Sequence, residues 1–251
     1  MRLAIAGATG TVGQHLTAAA EHAGHEVVLM SRSAGVDIVT GAGLAEALRG
    51  AEVVIDVASV SSTSTEASVK FFGTSSATLL AAEKAAGVAR HIALSIVGID
   101  GATSGYYAGK LEQERAVMNG PVAWTILRAT QFHEFAAQLL TQSSFGRLPL
   151  MPIARLHPVA AAEVSASLIH LAESKLDGRA PDLAGPREES LVEMARGYLA
   201  ATGVRRAVLP LWVPGEMFRG MRDGSRLPGR DATLGTQTYS EWLRELPTAP
   251  R

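Results

Sequence analysis

Tyr106 and Tyr107 stand four and three residues ahead of Lys110 in the stretch GYYAGKLEQE. On an α-helix both offsets bring a phenol onto the row of the lysine, so spacing alone does not choose between them. The chemistry such a pair can do is proton transfer. An unperturbed phenol titrates near about 10, and an ammonium beside it favours the phenolate; a shift of two to three units corresponds to about 3–4 kcal/mol. Ser95, at the end of RHIALS, adds a hydroxyl able to hold a carbonyl oxygen. Ser95, Tyr106 and Lys110 are the candidate proton-transfer group.

A second cluster sits at the N-terminus. GATGTVG sets Gly7, Gly10 and Gly13 three residues apart, straight after an apolar strand and at the opening of a helix. GxxGxxG departs from the dinucleotide fingerprint GxGxxG but keeps its mechanics: a tight turn, then a helix N-terminus that a pyrophosphate can approach through the backbone. The expected contacts are Gly7, Thr9, Gly10, Thr11, Val12 and Gly13. The plainer alternative is a strand-to-helix turn using glycine only for positive φ.

The next strand, HEVVLM, ends at Ser31 and Arg32. An acid there suits a free ribose 2′-hydroxyl and an arginine suits a 2′-phosphate, so NADP(H) is expected over NAD(H). NAD(H) stays open because Arg32 could also stack on adenine. Ala58 closes AEVVIDVA and Ser59 follows it, at the edge where ligands of open α/β sheets bind, and their small side chains would admit a ribose that Lys110 could reach. Asp56, inside that strand, needs a partner if buried and reads as structural. Thr130, Gln131 and Phe132 follow VAWTILRA at the same edge, Gln131 as a hydrogen-bonding group and Phe132 as a wall. His133 reads as packed or solvated.

The elements that must position these residues alternate in type. RLAIAG, HEVVLM, VDIV, AEVVIDVA, RHIALSIV and VAWTILRA read as strands, separated by helices over about 10–23, near Leu44, over about 68–86 and around Lys110. That rhythm gives an α/β fold, a Rossmann-type doubly wound parallel sheet. After Thr130 the rhythm fails. Short strands (MPIARLHPV, APDLAG, RAVLPLW) and helices near 160–172 and 191–201 suggest a smaller substrate-facing lobe. The expected division is residues 1–147 for the dinucleotide-binding core and 148–251 for the lobe. Trp212, Met217, Phe218 and Met221 in that lobe read as core, or else as walls of an apolar pocket.

With 47 % hydrophobic and 19 % charged residues, the chain has the balance of a soluble globular protein. A net charge of −1 offers no field for nucleic acid or an anionic membrane. No apolar run reaches the roughly 18–20 residues that cross a bilayer. The opening MRLAIAGATG has no leader pattern, so a cytoplasmic location is expected. The chain has no cysteine, and its 7 histidines show no metal-ligand spacing, so no metal is expected. A small-molecule substrate is the expected partner, with homodimerisation left open.

Taken together, GATGTVG, the Ser95 strand end, YYAGKLEQE, SIVGID, LRATQFHEF and the late EWL segment resemble the short-chain dehydrogenase/reductase superfamily, in its atypical NmrA-like NAD(P)H-binding branch. The resemblance covers essentially the whole chain. It implies Tyr106 as the acid, Lys110 as ribose ligand and modulator of the phenol, Ser95 as orienter of the carbonyl, and Tyr107 as a packing or pocket residue. Thr130, Gln131 and Phe132 match the branch's nicotinamide-side segment. The implied activity is NAD(P)H-dependent reduction of a quinone or carbonyl on an apolar, aromatic polyketide-like molecule, which could feed a hydroxylation. The branch also supplies a rival, a dinucleotide-binding regulator without turnover. The same triad fits another, an epimerase or dehydratase acting on a nucleotide-linked substrate.

Overall fold

A computed structural model of the chain describes residues 1–62, 64–142, 144–145 and 148–246, with the side chains of 144, 145 and 148 left aside. Along the first half run β1 (Arg2–Ala6), α1 (Thr11–His22), β2 (Glu26–Met30), α2 (Leu44–Ala47), β3 (Val53–Asp56), α3 (Thr65–Ala86), β4 (Arg90–Ile96), α4 (Gly105–Met118) and β5 (Ala123–Ala129). There follow α5 (Phe135–Gln142), β6 (Ser144–Phe145), β7 (Leu148–Pro152), β8 (Arg155–Leu156), α6 (Ala161–Glu173), β9 (Gly178–Arg179) and β10 (Leu183–Ala184). The last elements are β11 (Glu189–Ser190), α7 (Leu191–Ala201), β12 (Leu209–Leu211), α8 (Glu216–Asp223), β13 (Thr233–Leu234) and α9 (Tyr239–Glu245).

Contacts group these into two compact units, Met1–Arg128 with Ala161–Pro181, and Ala129–Ala160 with Asp182–Arg251. The expected 147/148 boundary falls on Arg147, outside the described residues.

In the first unit the strands lie in the order β2-β1-β3-β4-β5, with β9 beside β5. β1 pairs in parallel with both β2 and β3, and β3 with β4. The chain therefore walks outward one way from β1 and the other way from β3, and the reversal opens a crevice at their carboxyl ends. Alternation along each strand assigns the faces. Leu3, Ile5, Ile55 and Ile92 are all 0 % exposed and in register on the face of α1 and α6. Burying each such side chain contributes about 1.5–3 kcal/mol. On the other face Ala4, Ala6, Val28, Met30 and Val54 pack against α2 and Leu79 of α3.

α3 and α4 approach closely because Gly109 has no side chain: a Cβ there would lie 2.8 Å from both Phe72 and Ser68. A hydrogen bond of 2.8 Å from the Gly105 N–H to Thr65 Oγ1 ties the first turns of the two helices together.

VDIV is a turn rather than a strand. Asp37 Oδ1 accepts from the N–H of Val39 and of Thr40 at 2.8 and 3.2 Å, and Gly41 N–H returns to the Asp37 carbonyl at 2.8 Å. Val36 is still buried in the core and the partly buried Ile38 packs against it, which explains the strand-like pattern.

In the second unit β10 pairs in parallel with β13, and Leu183 lies opposite Ala129 at the end of β5. β12, β7 and β6 form a three-stranded sheet, and β8 pairs with β11. Tyr239 and Trp242 of α9 stack at 5.4 Å, with Tyr198 and His133 against them. Met221 is buried, Met217 and Phe218 are half-buried, and Trp212 is 62 % exposed with the Arg222 guanidinium 4.7 Å from its ring. Among the described residues no helix is long and apolar enough to cross a membrane.

Candidate active site

β1 delivers Gly7 to the crevice with φ 82°, and its N–H is held by the Met30 carbonyl at 3.1 Å. Only glycine fits there, since a Cβ would fall 2.7 Å from Ala58 Cα behind β3. Gly13 meets a tighter limit: its Cβ would be 2.2 Å from the Gly7 carbonyl oxygen. Gly10 is the N-cap of α1 and supplies no side-chain acceptor, so the first-turn N–H groups of Thr11, Val12 and Gly13 lack a side-chain cap. Thr9 and Gly10 are exposed above them. A glycine turn that sets the backbone against Ala58, followed by an uncapped helix N-terminus, fits a pyrophosphate.

At the end of β2, Ser31 Oγ accepts from Ala34 N–H at 3.3 Å and caps a short 3₁₀ turn over Arg32–Ala34. Arg32 is exposed, and among the described residues its guanidinium has no hydrogen bond or ion pair. That is a cation available to a ligand phosphate.

Behind β3, Ala58 is buried with its N–H donating to Asp56 Oδ1 at 2.9 Å, while Ser59 is exposed. Ser59 Oγ and Tyr106 Oη share a hydrogen bond of 2.8 Å. Of the two tyrosines, Tyr106 is therefore the one whose hydroxyl meets the loop behind β3; Tyr107 is buried, 5 % exposed. Burial, foremost, pushes the Tyr106 phenol above its ordinary range, with the Asp56 charge adding and the Ser59 bond opposing. At neutral pH it keeps its proton.

Lys110 does not bond to that phenol. Its ammonium is buried, donates to the Leu94 carbonyl at 2.6 Å and to Gln113 Oε1, and lies 4.9 Å from the centre of the Phe72 ring. Burial, the largest influence, lowers it to about 8 against the opposing charges of Asp56 and Glu114. Gln113 in turn donates to Asp56 Oδ2 at 2.7 Å. Ser95 is 3 % exposed and its Oγ has no hydrogen-bond partner, an unused hydroxyl at the carboxyl end of β4. Beyond it, the loop bearing Asp100 is held by buried Arg128, which grips Asp100 at 2.7 and 2.9 Å and Glu114 at 2.7 and 2.6 Å.

Thr130, Gln131 and Phe132 belong to the second unit. Thr130 Oγ1 donates to the His157 carbonyl at 2.5 Å, the Gln131 carbonyl accepts from Val159 N–H at 2.9 Å, and Phe132 is half-buried. His133 Nε2 lies 3.1 Å from the Gln237 carbonyl inside the aromatic cluster, a packing position.

Sequence reasoning named Asp56 only as structural and did not single out Gln113 or Phe72. The signal for Gln113 was present: it is three residues beyond Lys110 on one helix, hence on the same face.

No curated protein sequence matches the chain. Among solved structures the fold is similar to UDP-glucose-4-epimerase from Stenotrophomonas maltophila with bound NAD, at TM-score 0.74 and 14 % identity over 98 % of this chain and 96 % of that one. It is similar to an NADPH-dependent quinone oxidoreductase from Escherichia coli complexed with NADPH, at TM-score 0.71 and 18 % identity over 96 % and 98 %. A short-chain dehydrogenase/reductase superfamily protein from Agrobacterium tumefaciens with bound NAD gives TM-score 0.70 and 16 % identity over 98 % and 95 %. The model of a family described as NAD(P)H-binding matches residues 7–144. That span holds the glycine turn, Arg32, Ser95, Tyr106 and Lys110 and is more than half of the sequence: the chain belongs to the NAD(P)H-binding family.

Proposed function

We propose that the chain is an NADPH-preferring oxidoreductase that reduces a quinone, or another carbonyl, of an apolar small molecule, with Tyr106 as proton donor. The observation that carries this reading is a continuous contact path. Gly7 abuts Ala58, Ser59 is the next residue, and Ser59 Oγ bonds Tyr106 Oη at 2.8 Å. A protonated phenol thus stands at the same strand ends as the dinucleotide turn.

A bound reduced dinucleotide supplies hydride. The residues of the chain do the rest. The first turn of α1 and the backbone at Gly7 hold the pyrophosphate, and Arg32 pairs with a 2′-phosphate through its planar fork. Ser95 Oγ, without a partner in the fold, orients the substrate oxygen. Tyr106 passes its proton to that oxygen, and Ser59, exposed and hydrogen-bonded to the phenol, links it to solvent. A quinone suits a phenol with no ammonium bonded to it, because its aromatic product is already stabilised and needs less proton assistance. The likeness to the Escherichia coli quinone oxidoreductase points the same way.

Anaerobic stopped-flow mixing of the protein and NADPH with a panel of quinones and carbonyl compounds tests the assignment. Oxidation of NADPH by at least one acceptor is expected. The Arg32→Ala variant should weaken binding of NADPH, by about tenfold or more, and leave NADH unchanged. Equal loss for both cofactors would remove the 2′-phosphate role.

One observation favours a second reading, a dinucleotide-binding regulator without turnover: the Lys110 ammonium is bonded to Leu94 and Gln113. Tight NADP binding with every acceptor inert would select it.

A further inference from the structure

Lys110 is a donor-only cation and Asp56 an acceptor-only anion, and both are nearly excluded from water at 4 % and 1 % exposure. Gln113 stands between them. Its side-chain N–H donates to Asp56 Oδ2 at 2.7 Å, and its carbonyl oxygen accepts from Lys110 Nζ. With a donor on one side and an acceptor on the other, the amide has a single satisfied orientation. A carboxylate at this position would repel Asp56, and a cationic side chain would repel Lys110.

The second oxygen of Asp56 accepts from Ala58 N–H at 2.9 Å, and a Cβ on Gly7 would come within 2.7 Å of Ala58 Cα. One buried carboxylate therefore fastens the turn that abuts the glycine loop and, through the amide, the lysine of α4. Lys110 is fixed at a third point by the Leu94 carbonyl at 2.6 Å.

We propose that Gln113 is a positioning residue that carries the influence of Asp56 to Lys110, fixing where that ammonium sits and how readily it stays charged at the dinucleotide-binding edge. The proposal rests on the reading above only in placing a dinucleotide at this edge, where the sequence resemblance makes Lys110 the ribose ligand.

The groups facing the ammonium support it. β3 presents Asp56, and α4 presents Glu114, which is itself gripped by Arg128. α3 presents the uncharged Phe72 ring, and β4 presents the Leu94 carbonyl. Glu83 of α3 and His91 of β4 lie close enough to Asp56 for its charge to reach them. Burial works against the charged lysine and the two carboxylates work for it. Loss of the bridge removes a hydrogen-bond acceptor from the ammonium and leaves Asp56 without its amide donor.

The chain has only Lys70, Lys84, Lys110 and Lys175 as lysines, so selective ¹³C labelling of lysine side chains gives a resolvable NMR titration. In the wild type one resonance should titrate near about 8, apart from the rest. Gln113→Met keeps the side-chain length but neither hydrogen bond, and should lower that midpoint by at least about one pH unit. Asp56→Asn should move it the same way, because Gln113 must turn its N–H₂ toward Lys110 to accept from the new amide. NADP affinity, read by isothermal titration, should fall several-fold in both.

A midpoint unmoved in folded Gln113→Met or Asp56→Asn protein would overturn the proposal. So would a wild-type spectrum in which all four lysines titrate together, a result that needs no variant to fold. Absence of turnover would sink the oxidoreductase reading and leave this titration intact.

Discussion

The two faces of the first unit's sheet are built differently. Toward α1 and α6, Leu3, Ile5, Ile55 and Ile92 make a dry aliphatic layer. Toward α3 and α4, the same strands present Asp56, His91, Ser95 and Arg128, and the helices add Glu83, Lys110, Gln113 and Glu114, all nearly fully buried. Buried polar groups must find partners or be desolvated without return. Most of them do: Arg128 with Glu114, Asp56 with Gln113, Gln113 with Lys110. The exceptions are Ser95 Oγ, Ser76 Oγ, and one atom each of Glu83 and His91. The first of these layers is purely aliphatic, whereas the second face adds to its own apolar cluster the groups able to move or hold protons.

Ile55→Ala breaks the comparison most strongly. It hollows the aliphatic layer, and the denaturant midpoint should report a loss of about 2–5 kcal/mol. NADP affinity of the folded variant should stay at the wild-type level; a parallel loss of affinity would mean the faces are not separable.

The buried Glu83–His91 pair, joined at 2.8 Å, gives the second test. Burial pushes the Glu83 carboxyl up; burial is also the largest influence on the His91 imidazole and pulls it down, but the Glu83 charge, the Glu83 hydrogen bond and the Asp56 charge together push it up. Both raised groups hold protons more tightly when folded. Their contribution is full below the ordinary glutamate value of 4.5 and is lost as pH climbs through the raised value of His91, above 6.5. Thermal melts should show stability declining across neutral pH, and Glu83→Gln should flatten that decline. An unchanged slope would assign it to other groups.

Ser59→Ala should have the smallest effect. It removes one partly exposed hydrogen bond, about 0.5–1.5 kcal/mol. It also removes the one influence that holds the Tyr106 phenol down, so any alkaline limb in the rate profile should move to higher pH. An alkaline limb that stays in place would detach Ser59 from the phenol.

The turn at Gly7, Gly10 and Gly13 was legible because its demands are local: strand, tight turn, helix start. The parallel strands were legible from their apolar runs, with VDIV as the exception. There Val36 and Ile38, two apolar residues packed on the core, mimic a strand while Asp37 folds the backbone into a turn, and a pattern of burial does not report backbone direction. Helical spacing put both tyrosines near the row of Lys110 but could not tell that the ammonium bonds Leu94 and Gln113, because a long flexible side chain goes where its tertiary partners are. For the same reason the polar residues of α4 gave no sign of burial, and the grouping of residues 161–181 with the first unit left no mark in their composition.

In the proposed reaction Tyr106 gives up its proton in the same turnover that consumes hydride. Single-turnover mixing of NADPH-loaded protein with an accepted carbonyl substrate, wild type against Tyr106→Phe, measures it. In Tyr106→Phe, hydride transfer should slow by about 10²–10⁴-fold with NADPH affinity retained. Equal rates in the two proteins would contradict it.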